Sequence, residues 1–172
     1  MSTDNVLSAD NQQANRKLLR ISDDYLAGFT DGEGCFYVGF GYRKDLPLKW
    51  QIITEFHLSQ NPSGEHLLEY FTKRLGCGYL KLNHAKSKTD KTLVLVVKDR
   101  KDLKEKLIPF FRKHSLVGSK AEDFEIFCKV LQIIEEKKHL TINGLKELTD
   151  IVFSSKRLTN KRYNRQFILS QL

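Results

Sequence analysis

Two carboxylates, Asp31 and Glu33, sit between glycines in the run Leu26-Ala27-Gly28-Phe29-Thr30-Asp31-Gly32-Glu33-Gly34. Upstream, Ser22 is a good helix cap and Asp23 and Asp24 suit a helix's positive end, so the spacing predicts a short helix over 22–30 with Gly32 and Gly34 ending it. The acids then fall at the end where unpaired carbonyls already make the potential negative. On residue types alone two readings stand. Either both acids are solvated in an exposed turn, or they and the last carbonyls hold a hard cation such as Mg²⁺, which takes carboxylate, carbonyl and water oxygens. Gly28 and Gly32, four apart on a helix, add a flat strip on which another helix can approach closely.

The elements that must position these acids follow in order. Residues 35–43 alternate with period two, placing Phe36, Val38, Phe40 and Tyr42 on one face and Tyr37, Gly39, Gly41 and Arg43 on the other. After a turn at 44–47, Trp50, Ile52, Thr54, Phe56 and Leu58 share a face, with Lys49, Gln51, Ile53, Glu55 and His57 opposite, completing a hairpin. Leu67, Leu68, Phe71 and Leu75 recur at helical spacing until Gly76 and Gly78. A second hairpin pairs 79–83 with 92–97 across a polar, basic loop. Helical patterns occupy 102–113, 120–136 and 142–153, and a basic tail closes the chain.

Two hairpins separated by a helix predict an α+β fold, with a four-stranded antiparallel sheet and helices packed on one face. The opposite face carries Tyr37, Arg43, Lys49, Gln51, His57, Lys81 and Asn83. That mixture of cations, amides and aromatics suits base edges and phosphates, and equally suits a solvated sheet face.

At 172 residues the chain fits one domain, read as 21–172 behind a flexible arm over 1–20. No apolar run approaches the roughly 20 residues of a membrane helix. Lys plus Arg number 29 against 21 Asp plus Glu, a net charge of +8 that favours an anionic partner without choosing among nucleic acid, acidic lipid and acidic protein. The 3 cysteines, Cys35, Cys77 and Cys128, are odd in number and widely spaced, which suggests neither a disulfide framework nor a zinc site and points to a reducing compartment. The histidines form no HExxH motif. Asp90 with Asp99-Arg100-Lys101 matches a loose metal-nuclease pattern, more simply read as the exit from a hairpin.

The run at 26–34, with Tyr25 before it and Cys35-Phe36 after it, resembles the signature of LAGLIDADG homing endonucleases. It differs by Phe29 and Thr30 at hydrophobic positions, Gly32 for a small residue and Glu33 for the usual aspartate. The resemblance continues to the basic tail and implies an αββαββα core whose sheet forms a DNA-binding saddle. A single motif implies a homodimer, its two motif helices packed at the two-fold axis through Leu26, Ala27, Gly28, Phe29 and Asp31. The two copies of Glu33, with the Gly32 carbonyl, would bind Mg²⁺, or Mn²⁺ in its place, near that axis. By the same resemblance Gln60 orders active-site water and Lys120 points to the scissile phosphate. The polar sheet residues become major-groove readers, while Lys86, Lys88, Lys91, Lys156, Arg157, Lys161, Arg162 and Arg165 contact phosphate. Some homodimeric members carry an arginine a few residues after the glutamine, and here the run Asn61-Pro62-Ser63-Gly64 lacks it. The implied activity is metal-dependent cleavage of one phosphodiester per strand in a long pseudo-palindromic duplex. Some relatives act as RNA-splicing maturases, which adds RNA as a partner class. Bacterial cytoplasm or an organelle, chloroplast or mitochondrion, is the implied location.

Overall fold

Helix α1 (Asp23–Glu33) starts where Ser22 caps it, the serine hydroxyl accepting from the Tyr25 amide at 3.1 Å. This computed structural model describes residues 21–159 and 162–172, so the expected arm over 1–20 and Lys161 lie outside the described residues. The helix runs past the expected end at Thr30 because Gly32 does not break it, and it closes only at Gly34, whose amide donates to the Thr30 carbonyl. A side chain at Gly34 would put its Cβ 2.5 Å from Thr30 Cγ2 and 2.6 Å from the Thr30 carbonyl oxygen, so only glycine allows this junction. Glu33 is therefore the last helical residue, directly before strand β1 (Gly34–Tyr42).

Strand β2 (Trp50–Gln60), helix α2 (Glu65–Leu75) and strands β3 (Tyr79–Leu82) and β4 (Leu93–Val97) follow. All pairings are antiparallel, in the order β1-β2-β4-β3. This is the expected α+β arrangement. Helix α2 ends at Gly76 in the left-handed conformation that favours glycine.

Helix α3 (Arg100–Asp102) passes through a π turn at Leu103–Leu107 into α4 (Ile108–Lys113). The wider turn includes Glu105, whose carbonyl the ring of Pro109 would crowd in a regular α-helix. Helices α5 (Ser119–Glu135), α6 (Ile142–Ser154) and α7 (Arg165–Ser170) complete the chain.

The core lies between the sheet and these helices. At its centre Phe36, 2% exposed, meets the rings of Phe56, Phe111, Phe124 and Phe127 within 5.7 Å. Burying such a side chain contributes about 1.5–3 kcal/mol. It also pins β1 to α4 and α5 just beyond Glu33.

The closing segment is more than a basic tail. Leu158 and Ile168 are fully buried, and the rings of Tyr163 and Phe167 pack against Trp50 at 5.1 and 6.2 Å. The Leu158 carbonyl accepts the Val38 amide at 2.8 Å, so this segment covers the edge of β1 that β2 leaves unpaired. Apolar residues interleaved with the cations make that packing possible.

Candidate active site and nucleic-acid interface

Register brings the expected catalytic groups to one end of the sheet. Gly34 pairs with Leu58, which sets the end of α1 beside the end of β2, where Gln60 stands. The Gln60 side-chain oxygen accepts the Asn61 amide at 2.8 Å. Its Cγ would lie 2.2 Å from a Cβ at Gly64, so the glycine leaves the space that Gln60 fills. This gives a steric reason for glycine at 64 in the run that lacks the arginine: any side chain there displaces Gln60.

Lys120 arrives from the other side. Asp31, one turn of chain before Gly34, accepts the Val117 amide at 2.7 Å and the Gly118 amide at 3.2 Å, tying α1 to the entry of α5. Lys120 occupies the first turn of α5, half-buried. Burial pushes the Cys35 thiol up, and the positive charge of Lys120 pulls it partly back, which places the lysine within electrostatic reach of the residue after Gly34.

The donors at the end of α1 suit a hard cation. Glu33 is exposed, and the Gly32 carbonyl belongs to the last turn, where carbonyls lack partners inside the helix. Among the described residues no group of three His, Cys, Asp or Glu side chains is placed to hold a metal ion. One carboxylate with carbonyl and water oxygens matches Mg²⁺ chemistry and fits half of a shared site.

The two sides of α1 differ sharply. Leu26, Ala27 and Thr30 are buried, so Leu26 and Ala27, expected at a helix-to-helix contact, pack their side chains into this chain's own core. Tyr25, Gly28 and Gly32 are exposed and Phe29 is half-buried. Among the described residues nothing lies within 4 Å of a Cβ placed at Gly28 or Gly32, so no contact among them requires either glycine. Asp31 serves the α5 tie instead of standing free for a contact.

On the sheet's outer face, Tyr37 stacks on His57 at 6.2 Å, and His57 Nε2 lies 2.8 Å from Glu55 Oε2. Burial, reinforced by the Glu55 charge, raises the Tyr37 phenol above its ordinary value. Gln51, Lys81 and Asn83 are exposed, as is Lys49, whose backbone adopts a left-handed φ of 59°. Arg43 forks onto Asp45 at 2.8 and 2.7 Å, so its guanidinium is engaged within the turn. Lys156 is exposed, whereas Arg157 is drawn onto the buried carboxylate of Asp123.

Some members of this face did not stand out in the sequence. Val94 and Val96 pair with Ser59 and His57 and so point outward, yet they are 2% and 1% exposed. Glu55 shares the face by simple alternation, although a lone acid attracts no notice in a search for cations. Tyr79, under the Lys98 ammonium at 5.4 Å, adds one further group, and Arg162, expected at phosphate, lies close enough to act on the Tyr37 phenol. The rival acids are otherwise occupied: Asp90 accepts the Thr92 amide and Asp99 caps α3.

Comparison with known proteins agrees with this layout. Residues 26–131 match the family model described as LAGLIDADG endonuclease. A probable intron-encoded endonuclease 2 of Neurospora crassa is 28% identical over 134 residues, covering 76% of this chain and 28% of the relative. The chain thus spans little more than a quarter of that relative's length. The homing endonuclease I-TnaI has a crystal structure that superposes with a TM-score of 0.73 at 31% identity, over 87% of this chain and 95% of that one. The meganuclease I-SmaMI, solved bound to uncleaveable DNA, gives 0.75 at 28% identity, over 88% of this chain and 53% of that one.

Proposed function

The chain belongs to the LAGLIDADG endonuclease family, and on that premise we propose that it is a site-specific homing endonuclease acting as a homodimer. It binds a long pseudo-palindromic duplex and hydrolyses one phosphodiester per strand, leaving a staggered break across the minor groove. The observation that carries this reading is that the Gly34–Leu58 register and the Asp31 tie set the end of α1, the end of β2 and the start of α5, which bear Glu33, Gln60 and Lys120, at one end of a polar sheet face.

The outer face holds the duplex, with exposed Gln51, Lys81 and Asn83 reading base edges and Lys156 neutralising phosphate. Counterion release then makes affinity fall steeply with salt. Glu33 and the Gly32 carbonyl, with their copies in the second chain, would hold a divalent ion, Mg²⁺ or Mn²⁺, which would supply Lewis acidity and lower the pKa of water at the phosphate. The Gln60 carboxamide orients the attacking water, while Lys120 offsets the charge that develops on the phosphate oxygens. Gly28 and Gly32 provide the surface on which the two α1 helices meet. A reducing compartment, bacterial cytoplasm or an organelle, is the location this reading implies.

Selection of cleaved duplexes from a randomised library, with and without Mg²⁺, identifies the target. Glu33→Gln is then incubated with that duplex. Retained binding without cutting is expected, and normal Mg²⁺-dependent cutting by the variant would overturn the assignment.

A further inference from the structure

Lys120 carries its proposed role only if the first turn of α5 is held still, and that turn is gripped from two sides. On one side is the tie from Asp31 to the amides of Val117 and Gly118. On the other stands Arg157, whose Nε donates to Asp123 Oδ2 at 2.8 Å and whose Nη2 donates to the Ser119 carbonyl at 3.0 Å and to Asp123 Oδ1 at 3.3 Å. The Asp123 carboxylate, 3% exposed, also accepts the Ser155 hydroxyl at 2.9 Å. Arg157 is rigid in turn, because its own amide donates to Ser155 Oγ at 3.1 Å and the next residue, Leu158, is fastened to β1.

This placement is costly unless it serves a purpose. A guanidinium beside the first turn of a helix is repelled by the helix dipole, and here Lys120 adds a second cation at the same end. Asp123, with Glu122 at 3.6 Å from Arg157, offsets that repulsion. A phosphate contact, the role that charge alone suggests for Arg157, leaves the bond to the Ser119 carbonyl unexplained.

We propose that Arg157 is a positioning residue for Lys120, clamping the Ser119 carbonyl against buried Asp123 so that the C-terminal segment forms part of the cleavage apparatus. The proposal rests on the endonuclease reading for its consequence, while the clamp itself is measurable without DNA.

Five variants test it: Arg157→Gln, the conservative Arg157→Lys, Lys120→Met, Arg157→Gln with Lys120→Met, and Arg157→Gln combined with Asp123→Asn, which removes the buried charge with its partner and guards against misfolding. In the DNA-free protein, amide hydrogen exchange should quicken over 118–122 and stay unchanged in α6. Unchanged exchange over 118–122 would overturn the clamp whatever cleavage does. On the selected duplex, single-turnover cleavage at saturating protein should fall roughly tenfold or more, since small misplacements of a reacting group cost that much or more. Arg157→Lys should recover part of the rate. Duplex affinity should change less than about twofold, and Arg157→Gln added to Lys120→Met should slow cleavage no further. Weakened affinity and a shallower salt dependence, with normal cleavage at saturation, would instead make Arg157 a phosphate contact. Additive effects in the double variant would reduce it to a purely structural residue. If Lys120→Met itself cleaves normally, the catalytic reading of Lys120 fails, and the exchange result still decides the clamp.

Discussion

Replacing Gly28 and Gly32 together by alanine gives opposite outcomes according to what faces α1. Both positions lie within the helix, both are exposed, and among the described residues nothing lies within 4 Å of a Cβ at either. In a lone chain alanine is favoured over glycine in a helix by about 0.8–1.0 kcal/mol at each position, and somewhat less for Gly32 in the last turn. The two changes would then stabilise the fold by up to about 2 kcal/mol, raising Tm by roughly 4–8 °C for a domain of this size. If two α1 helices cross on these glycines, four methyl groups enter a close contact instead. Overpacking of that kind costs about 1–3 kcal/mol, and each 1.4 kcal/mol weakens self-association about tenfold. Sedimentation equilibrium gives the dimer constant, and thermal unfolding across protein concentrations gives the stability. The expected result is weaker self-association, with a Tm that depends less on protein concentration than that of the wild type. A higher Tm at every concentration, with self-association unchanged, would mean that α1 faces water and would refute the shared site.

Gly64→Arg restores a basic residue after Gln60 but drives its Cβ to 2.2 Å from Gln60 Cγ, so single-turnover cleavage should fall by about two orders of magnitude while duplex affinity holds; undiminished cleavage would show that Gln60 need not stay where it is. The Arg74 fork, at 2.7 and 2.6 Å, holds the Asp23 carboxyl below its usual 3.8. A depressed folded value stabilises the protein above the unfolded value and is lost as pH falls through the folded one. Wild type and Arg74→Gln should therefore differ in Tm at pH above about 4 and converge as pH falls below it, the pair being worth less than about 1 kcal/mol at the surface; a gap that widens as pH falls below about 4 would contradict the assignment. Burial pushes the Cys77 and Cys128 thiols up to about 11, so iodoacetamide at neutral pH should label them only after unfolding in guanidinium, and prompt labelling of the native protein would count against this packing.

Much of this arrangement was legible from residue patterns. Alternation placed Phe36 and Phe56 inward and Tyr37 and His57 outward, and the sheet register agrees at both strands. Other features depended on contacts distant in the chain. Gly32 reads as a helix breaker, yet its cost of about 1 kcal/mol is outweighed by the burial of Leu26, Ala27 and Thr30 and by the tight junction at Gly34. Arg157 looks like one more cation in a basic run, because its partner Asp123 is 34 residues away in sequence. The tail's charge likewise conceals Leu158 and Ile168, which have neither the length nor the period to signal a core element.

These contacts bear on why one chain holds such an awkward acid. The last turn of α1 contains no basic residue, so Glu33 adds its charge to the negative end of the helix without local relief. Bringing a second α1 alongside would double the problem, with two carboxylates and two helix ends converging. Lys120 stands in the first turn of α5, whose entry the Asp31 tie joins to α1. On the proposed reading, the remaining relief comes from the divalent ion, so ion binding and helix pairing must favour each other by the same free energy. The exposed glycines and the poorly placed acid then share one explanation, since each is unfavourable in a single chain and each gains its purpose at the same junction.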